Sequence, residues 1–180
     1  MKSIQDMTQA ELAAFVQSHL SERGIYVVLS GGASVSIYSN DKYVSHDLDL
    51  VNVYSVKRRA IRESMKEIGF SEVGRYYKHP ESQFLVEFPP GPLAIGEEPI
   101  KQVDEIRLST GILRIISPTD CVKDRLAAFY HWGDQQCLAQ AILVASEREI
   151  DIEEIRRWSD AEDKLNDFEK ISAKLEGMKN

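Results

Sequence analysis

The chain has 180 residues, 43% of them apolar, and a formal net charge of −7. That is enough apolar material for one sizeable core, and the acidic balance excludes a general nucleic-acid coat, which needs clustered Lys and Arg to displace counterions from phosphates. No apolar run approaches the roughly 20 residues of a membrane span and no charged-then-apolar leader opens the sequence, so a cytoplasmic protein is expected.

Thr8 followed by Glu11 has the spacing of a capping box, and Leu12, Phe15, Val16 and Leu20 recur at helical intervals until Gly24, which predicts an amphipathic helix over 9–23. IYVVLS at 25–30 is a β-branched strand that ends at a glycine pair, Gly31 and Gly32. ASVSIYSN then reads as a short helix beginning beside Gly32, and HDLDLVNV as a second strand. Ser55 is placed to cap a helix over 56–68 with Ile61, Met65 and Ile68 inward and Gly69 at its end. GRYYKH and SQFLVEF, separated by Pro80, suit a hairpin, and the proline- and glycine-rich FPPGPLAIGEEP reads as a loop. VDEIRLSTGILRIIS is a further hairpin turning at Thr110 and Gly111, and beyond Pro118 helices are predicted over 119–132, 134–147, 151–160 and 161–176. The expected class is α/β (α+β): a mixed α/β core over 1–117, then a helical C-terminal region over 118–180 packed on it.

Cys121 and Cys137 lack the close spacing of a zinc or redox pair and read as buried, reduced, small apolar residues. Lys57, Arg58, Arg59 and Arg62 form a basic stretch, and much of the negative charge follows Glu147; both read as solvated helix faces. His131 and Trp132 read as a helix packing edge.

Strand alternation in HDLDLV puts Asp47 and Asp49 on one face and Leu48 and Leu50 on the other. Carboxylates on neighbouring same-face positions repel unless a cation lies between them. Magnesium takes oxygen ligands and typically keeps one or two carboxylates with waters and substrate phosphates, which suits this pair; a strand with one solvated polar face is the plain alternative. The glycine pair between a strand and a helix start offers bare backbone N–H groups and a helix dipole, a setting that favours phosphate, and Ser34 adds a hydroxyl. Glu87 puts a third acidic group inside the apolar run FLVEF, and metals bridging a triphosphate and an attacking oxygen need carboxylates converging from adjacent strands. Arg75, Tyr76, Tyr77 and Lys78 make an aromatic and basic strip that suits either a solvated hairpin or stacking on a base.

SGGAS at 30–34, HDLDLV at 46–51 and LVEF at 85–88 together resemble the nucleotidyltransferase superfamily, with its DNA polymerase β-like fold. Within it the chain looks most like the bacterial minimal and AbiEii-type toxin nucleotidyltransferases, which join this core to a helical C-terminal region. The resemblance implies a nucleotidyltransferase-like mixed sheet flanked by helices. It also implies that Asp47, Asp49 and Glu87 are catalytic and bind Mg2+, with Mn2+ as a substitute, and that Gly31, Gly32 and Ser34 hold nucleotide phosphates. PTDCVKDRLAAFYHWGDQQ at 118–136 resembles the AbiEii-type helical motif through Asp120, Lys123 and Asp134, which implies that Lys123 neutralises triphosphate charge. The implied activity moves a nucleoside monophosphate from an NTP to an acceptor hydroxyl on an RNA 3′ end, a protein or a small molecule, with an antitoxin as partner for a toxin-type chain. The alternative is a non-catalytic module of the same fold that binds a partner protein or RNA through its helical tail, DIEEIRRWSDAEDKLNDFEKISAKL.

Overall fold

The computed structural model describes residues 2–54 and 56–177. The Thr8 hydroxyl accepts the Glu11 N–H and the Glu11 carboxylate accepts the Thr8 N–H, so the capping box opens helix α1 (Gln9–Ser21) where the sequence predicts it. Strand β1 (Val27–Ser30) runs straight into helix α2 (Gly31–Tyr38), which begins earlier than expected: Gly31, at φ 65°, turns the chain without a connecting loop. Strand β2 (Asp47–Asn52) follows, then helix α3 (Arg58–Glu67), with Ile61 and Met65 buried and Gly69 at φ 85° beyond its end. The proposed cap Ser55 lies outside the described residues.

Strands β3 (Ser71–Val73), β4 (Tyr76–Lys78) and β5 (Leu85–Glu87) form a meander, one strand more than the predicted hairpin, because the three residues of β3 are too few to carry a readable alternation. The proline-rich segment read as a loop contains a cis Gly91–Pro92 bond and a small hairpin of two-residue strands, β6 (Ala94–Ile95) and β7 (Glu98–Pro99). Strands β8 (Val103–Leu108) and β9 (Gly111–Ile116) complete the main sheet. Helix α4 (Pro118–Trp132) is capped by Ser117 and stopped by Gly133 at φ 67°. Helix α5 (Gln135–Glu147) is capped by Asp134 and helix α6 (Ile152–Ala161) by Asp151. Helix α7 (Leu165–Glu176) is set off from α6 by Asp163 in the left-handed region, φ 58°.

The seven-stranded sheet has the order β3-β4-β5-β2-β1-β9-β8. β1 sits beside β2 antiparallel and β9 parallel, and β2 runs parallel to β5, so the sheet is mixed. One hydrophobic cluster joins the sheet to the helices on either side of it in sequence, through Leu12, Leu29, Leu48, Leu50, Ile115, Leu126, Val144, Trp158 and Phe168. Buried polar side chains lock elements together: the Gln17 amide donates to the Arg114 carbonyl (2.9 Å) and accepts its N–H (2.6 Å), joining α1 to β9. The Tyr38 hydroxyl donates to the Ile116 carbonyl at 2.7 Å, joining α2 to the same strand.

The basic stretch on α3 is largely neutralised, with Arg58 and Arg62 paired to Glu72 and Arg59 to Glu63. Both cysteines are buried and free, as the sequence suggests. Trp132 is 80% exposed, so it does not form the packing edge expected of it. Among the described residues no helix is long and apolar enough to cross a membrane.

Trp158 ties the helical region to the small hairpin: it is 1% exposed, stacks on Tyr130 at 5.9 Å, and its Nε1–H donates to the Ile95 carbonyl at 3.3 Å. Trp158→Ala is expected to cost about 3–5 kcal/mol, read as a lower urea midpoint at unchanged slope, with Trp158→Phe losing markedly less.

Candidate active site

The register of three neighbouring strands builds the site. Ser30 on β1 lies opposite Asp49 on β2, and Asp49 lies opposite Glu87 on β5. Alternation assigns the next row to the core: Leu48 and its partner Val86 are fully buried, as are Leu29 and its partner Leu50. Asp47 shares the face of Asp49, and Asp47, Asp49 and Glu87 are all only half-buried. The three acidic residues singled out in the sequence thus occupy one face of adjacent strands.

The start of β2 is fixed by hydrogen bonds. The Ser36 hydroxyl of α2 accepts the Ser45 N–H at 2.8 Å, and the Gln9 amide of α1 donates to the Ser45 carbonyl at 2.9 Å. The Ser45 hydroxyl in turn meets the Asp47 backbone N–H and carbonyl at 3.3 and 3.2 Å, and a Cβ at Gly32 would sit 3.1 Å from it. Gly31 is more constrained: a Cβ there would lie 2.1 Å from Asp49 Oδ2. The glycine turn and Asp49 are therefore in direct contact.

Asp49 is a perturbed carboxyl. Burial first, then the charges of Glu87 and Asp47, push its pKa from 3.8 up to about 6, against a smaller opposing pull from Arg125. Glu87 has a cation of its own, Arg75, whose Nε lies 3.5 Å from Glu87 Oε2. As the side chains stand, no three His, Cys, Asp or Glu groups among the described residues converge to ligating distance of one point. The donor chemistry nonetheless fits a hard divalent cation: Asp47 and Asp49 offer adjacent carboxylate oxygens whose mutual repulsion a cation would relieve, and magnesium commonly takes no more than two protein carboxylates.

A cleft opens over this row, lined by Ser30, Gly31, Asp49, Glu87, Asp124 and Arg125 among others. The Ser30 hydroxyl makes no capping bond to α2, and the first-turn N–H groups of that helix lack intrahelical acceptors. Ser34, read from the sequence as the phosphate-site hydroxyl, is instead fully buried, with its Oγ–H directed to the Leu29 carbonyl at 3.4 Å. Lys123 is 5% exposed and held by Glu154 at 2.6 Å and Asp120 at 3.5 Å, in an adjoining cleft with Trp158. The cation of α4 that shares the carboxylate cleft is Arg125, paired with Asp124 and reaching Gln140. Sequence reasoning missed Ser30, Asp124 and Arg125. The signal was an arginine four residues after Cys121, on the turn of α4 that the core already claims. Asp134, the last residue of the helical motif, caps α5 by accepting the Gln136 and Cys137 N–H groups.

The raised pKa of Asp49 has a sign that can be checked. The fold favours the protonated carboxyl, so its contribution is complete below the unfolded pKa of 3.8 and is lost as pH rises through about 6. In metal-free buffer Asp49→Asn should be more stable than the parent at pH 8 by about 1–3 kcal/mol, a gain that shrinks towards pH 4. Urea midpoints at the two pH values measure it, and a carboxyl carbon NMR titration should find Asp49 titrating near pH 6.

No family model and no curated protein matches the sequence. Solved structures do match over nearly the whole chain. An antigenic nucleotidyltransferase-like protein from Paracoccidioides brasiliensis aligns at TM-score 0.62 and 15% identity, over 93% of this chain and 92% of that one. ANT(2″)-Ia in complex with adenylyl-2″-tobramycin aligns at TM-score 0.56 and 13% identity, over 86% and 97%. The lincosamide antibiotic adenylyltransferase LnuA, lincomycin-bound, aligns at TM-score 0.53 and 16% identity, over 79% and 99%. At these identities the likeness is one of fold, and the fold is nucleotidyltransferase-like.

Proposed function

We propose that the protein transfers a nucleoside monophosphate from an NTP to a hydroxyl of a small molecule. The observation that carries this reading is the direct contact of a glycine turn at a helix start with an aspartate flanked by two further carboxylates. The first is a place for phosphate, the second a place for the cation that accompanies it. The support from the solved structures is that two proteins of this fold are adenylyltransferases or hold an adenylylated product, both with small antibiotic acceptors.

In this reading the first-turn N–H groups at Gly31 and Gly32 and the Ser30 hydroxyl hold the phosphates, and Arg125 adds positive charge from α4. Asp47 and Asp49 would hold Mg2+ or Mn2+, whose chemistry there is neutralisation of triphosphate charge. Glu87 accepts the proton of the acceptor hydroxyl as its oxygen bonds to the α-phosphorus. The bond from that phosphorus to the bridging oxygen breaks, and pyrophosphate leaves. The reaction is chiefly positioning and charge neutralisation, so no covalent nucleophile is needed. The toxin-type reading has weaker support, because Asp120, Lys123 and Asp134 are all engaged in helix caps and ion pairs.

Incubation with each α-labelled NTP, Mg2+ and a panel of hydroxylated small molecules, with total RNA and protein as controls, tests the proposal. Asp47→Asn and Asp49→Asn should each lower transfer by about a hundredfold or more. Glu87→Gln should lower kcat by about a hundredfold with KM for the NTP little changed, as expected for a proton acceptor. Transfer that survives both aspartate substitutions, in variants whose circular dichroism is unaltered, would sink the assignment. Label that enters only RNA or protein would overturn the small-molecule acceptor.

A second expected outcome concerns Gly31. Gly31→Ala places a methyl group against the Asp49 carboxylate at a positive φ, and should cost about 1–3 kcal/mol of stability. Pairing it with Asp49→Gly should restore much of that stability without restoring transfer, which double-mutant unfolding curves and the same label assay would show.

A further inference from the structure

Strand β8 ends the main sheet: β9 pairs with it on one side, and no strand pairs with it on the other. Its ladder to β9 runs unbroken from the Val103–Ile116 pair to the Leu108–Gly111 pair, with no bulge and no proline. Every second residue of such a strand turns its N–H and C=O outward, and those of β8 meet no other backbone group among the described residues. Natural sheets usually blunt an edge of this length with a proline, a bulge, a lysine or a covering helix. β8 carries instead Glu105 and Arg107 on one face, both exposed, with Ile106 between them on the other, half-buried and opposite the fully buried Leu113. Glu105 meets Arg114 of β9 through Oε1 at 3.1 Å, and a carboxylate has acceptor sites enough for a second guanidinium. Arg107 forms no ion pair among the described residues.

We propose that β8 is a dimer interface, on which two copies of this chain pair antiparallel, edge to edge and centred on Ile106, so that their sheets become one. Charge selects both the partner and the register. In an antiparallel pair related by a two-fold axis, directly opposite residues share a face, so the axis passes through a residue. An axis at Asp104, Glu105 or Arg107 sets a charge against its own copy, which is destabilising. An axis at Ile106 sets each Glu105 opposite the second copy's Arg107, extends the apolar row of Leu113 and Ile106 across the junction, and leaves Asp104 opposite Leu108. The strand is thus complementary to itself. Head-to-tail pairing of β8 on β3 of the next copy would engage only the three residues of β3 and would repeat without closing. β9 separates β8 from β1, so the carboxylate row stays open in the dimer whatever its chemistry.

Sedimentation velocity on the full chain, from about 1 to about 200 micromolar at low salt, tests this interface. The mass should rise from that of one chain to that of two and go no further, and added salt should weaken the dimer. Arg107→Glu should weaken it about tenfold or more, because it sets like charges opposite each other twice. Glu105→Arg should do the same, and an equimolar mixture of the two variants should recover dimers, since every Glu then faces an Arg. Arg107→Glu breaks no ion pair within the chain, so it carries the test should Glu105→Arg, which faces Arg114, fold poorly. Parent chains that stay single at the highest concentration, an Arg107→Glu variant that dimerises as before, folded variants whose mixture stays single, or a mass that climbs past two copies would each overturn the proposal.

Discussion

The strand register that sets Ser30 beside Asp49 and Asp49 beside Glu87 governs the rest of the site. It is held by the row behind it, where Leu29, Leu48, Leu50 and Val86 are all fully buried. A slip of one residue would send those apolar side chains to the cleft and the carboxylates into the core, so the register is as secure as the core itself. The fold thereby keeps Asp49 between two like charges and partly out of water, although burial and repulsion both oppose its ionisation. Such an arrangement is held in place by the packing of β1 and β2, and in the proposed function it is where a cation is received.

Helices decorate this row unequally. α2 contributes its N-terminus directly, because the chain leaves β1 at Gly31 with no loop between. α4 reaches the same cleft through Asp124 and Arg125, while Lys123, one residue earlier, faces the adjoining cleft and the carboxylates of Asp120 and Glu154. Lys123 and Arg125 are two residues apart and so point about 200° apart on the helix, which is enough to put one cation in each cleft. The acidic C-terminal helices are thus partly consumed in holding basic residues in place: Glu154 holds both Lys123 and Arg157, and its pKa is drawn down to about 2 by these bonds.

How much of this was legible in the sequence depended on whether the signal was local. The capping box at Thr8 and Glu11, the strand alternation of HDLDL and the glycine pair are read over a few residues, and the structure places each element there. The nearness of Glu87 to Asp49 is a strand-pairing property that alternation cannot supply; the family resemblance of the motifs suggested it, and the parallel β2–β5 ladder provides it. The choice among nearby candidates was not legible. Ser34 and Ser30 both flank the glycines, but only the rotation of α2 puts Ser34 inward against the Leu29 carbonyl and leaves Ser30 at the cleft. Strand β3 and the β6–β7 hairpin also escaped, since runs of two or three residues have no period to read.

Gly31 belongs to two arguments at once. In the proposed function it lets backbone N–H groups approach a phosphate, and its missing Cβ is also the space in which Asp49 Oδ2 sits. A descendant that had lost every catalytic step but kept Asp49 would still be under selection to keep this glycine. Persistence of the glycine among diverged copies therefore reports the bulk of the neighbouring carboxylate. Ser30, which bears no such steric obligation, is where loss of the proposed nucleotide use would first leave a trace.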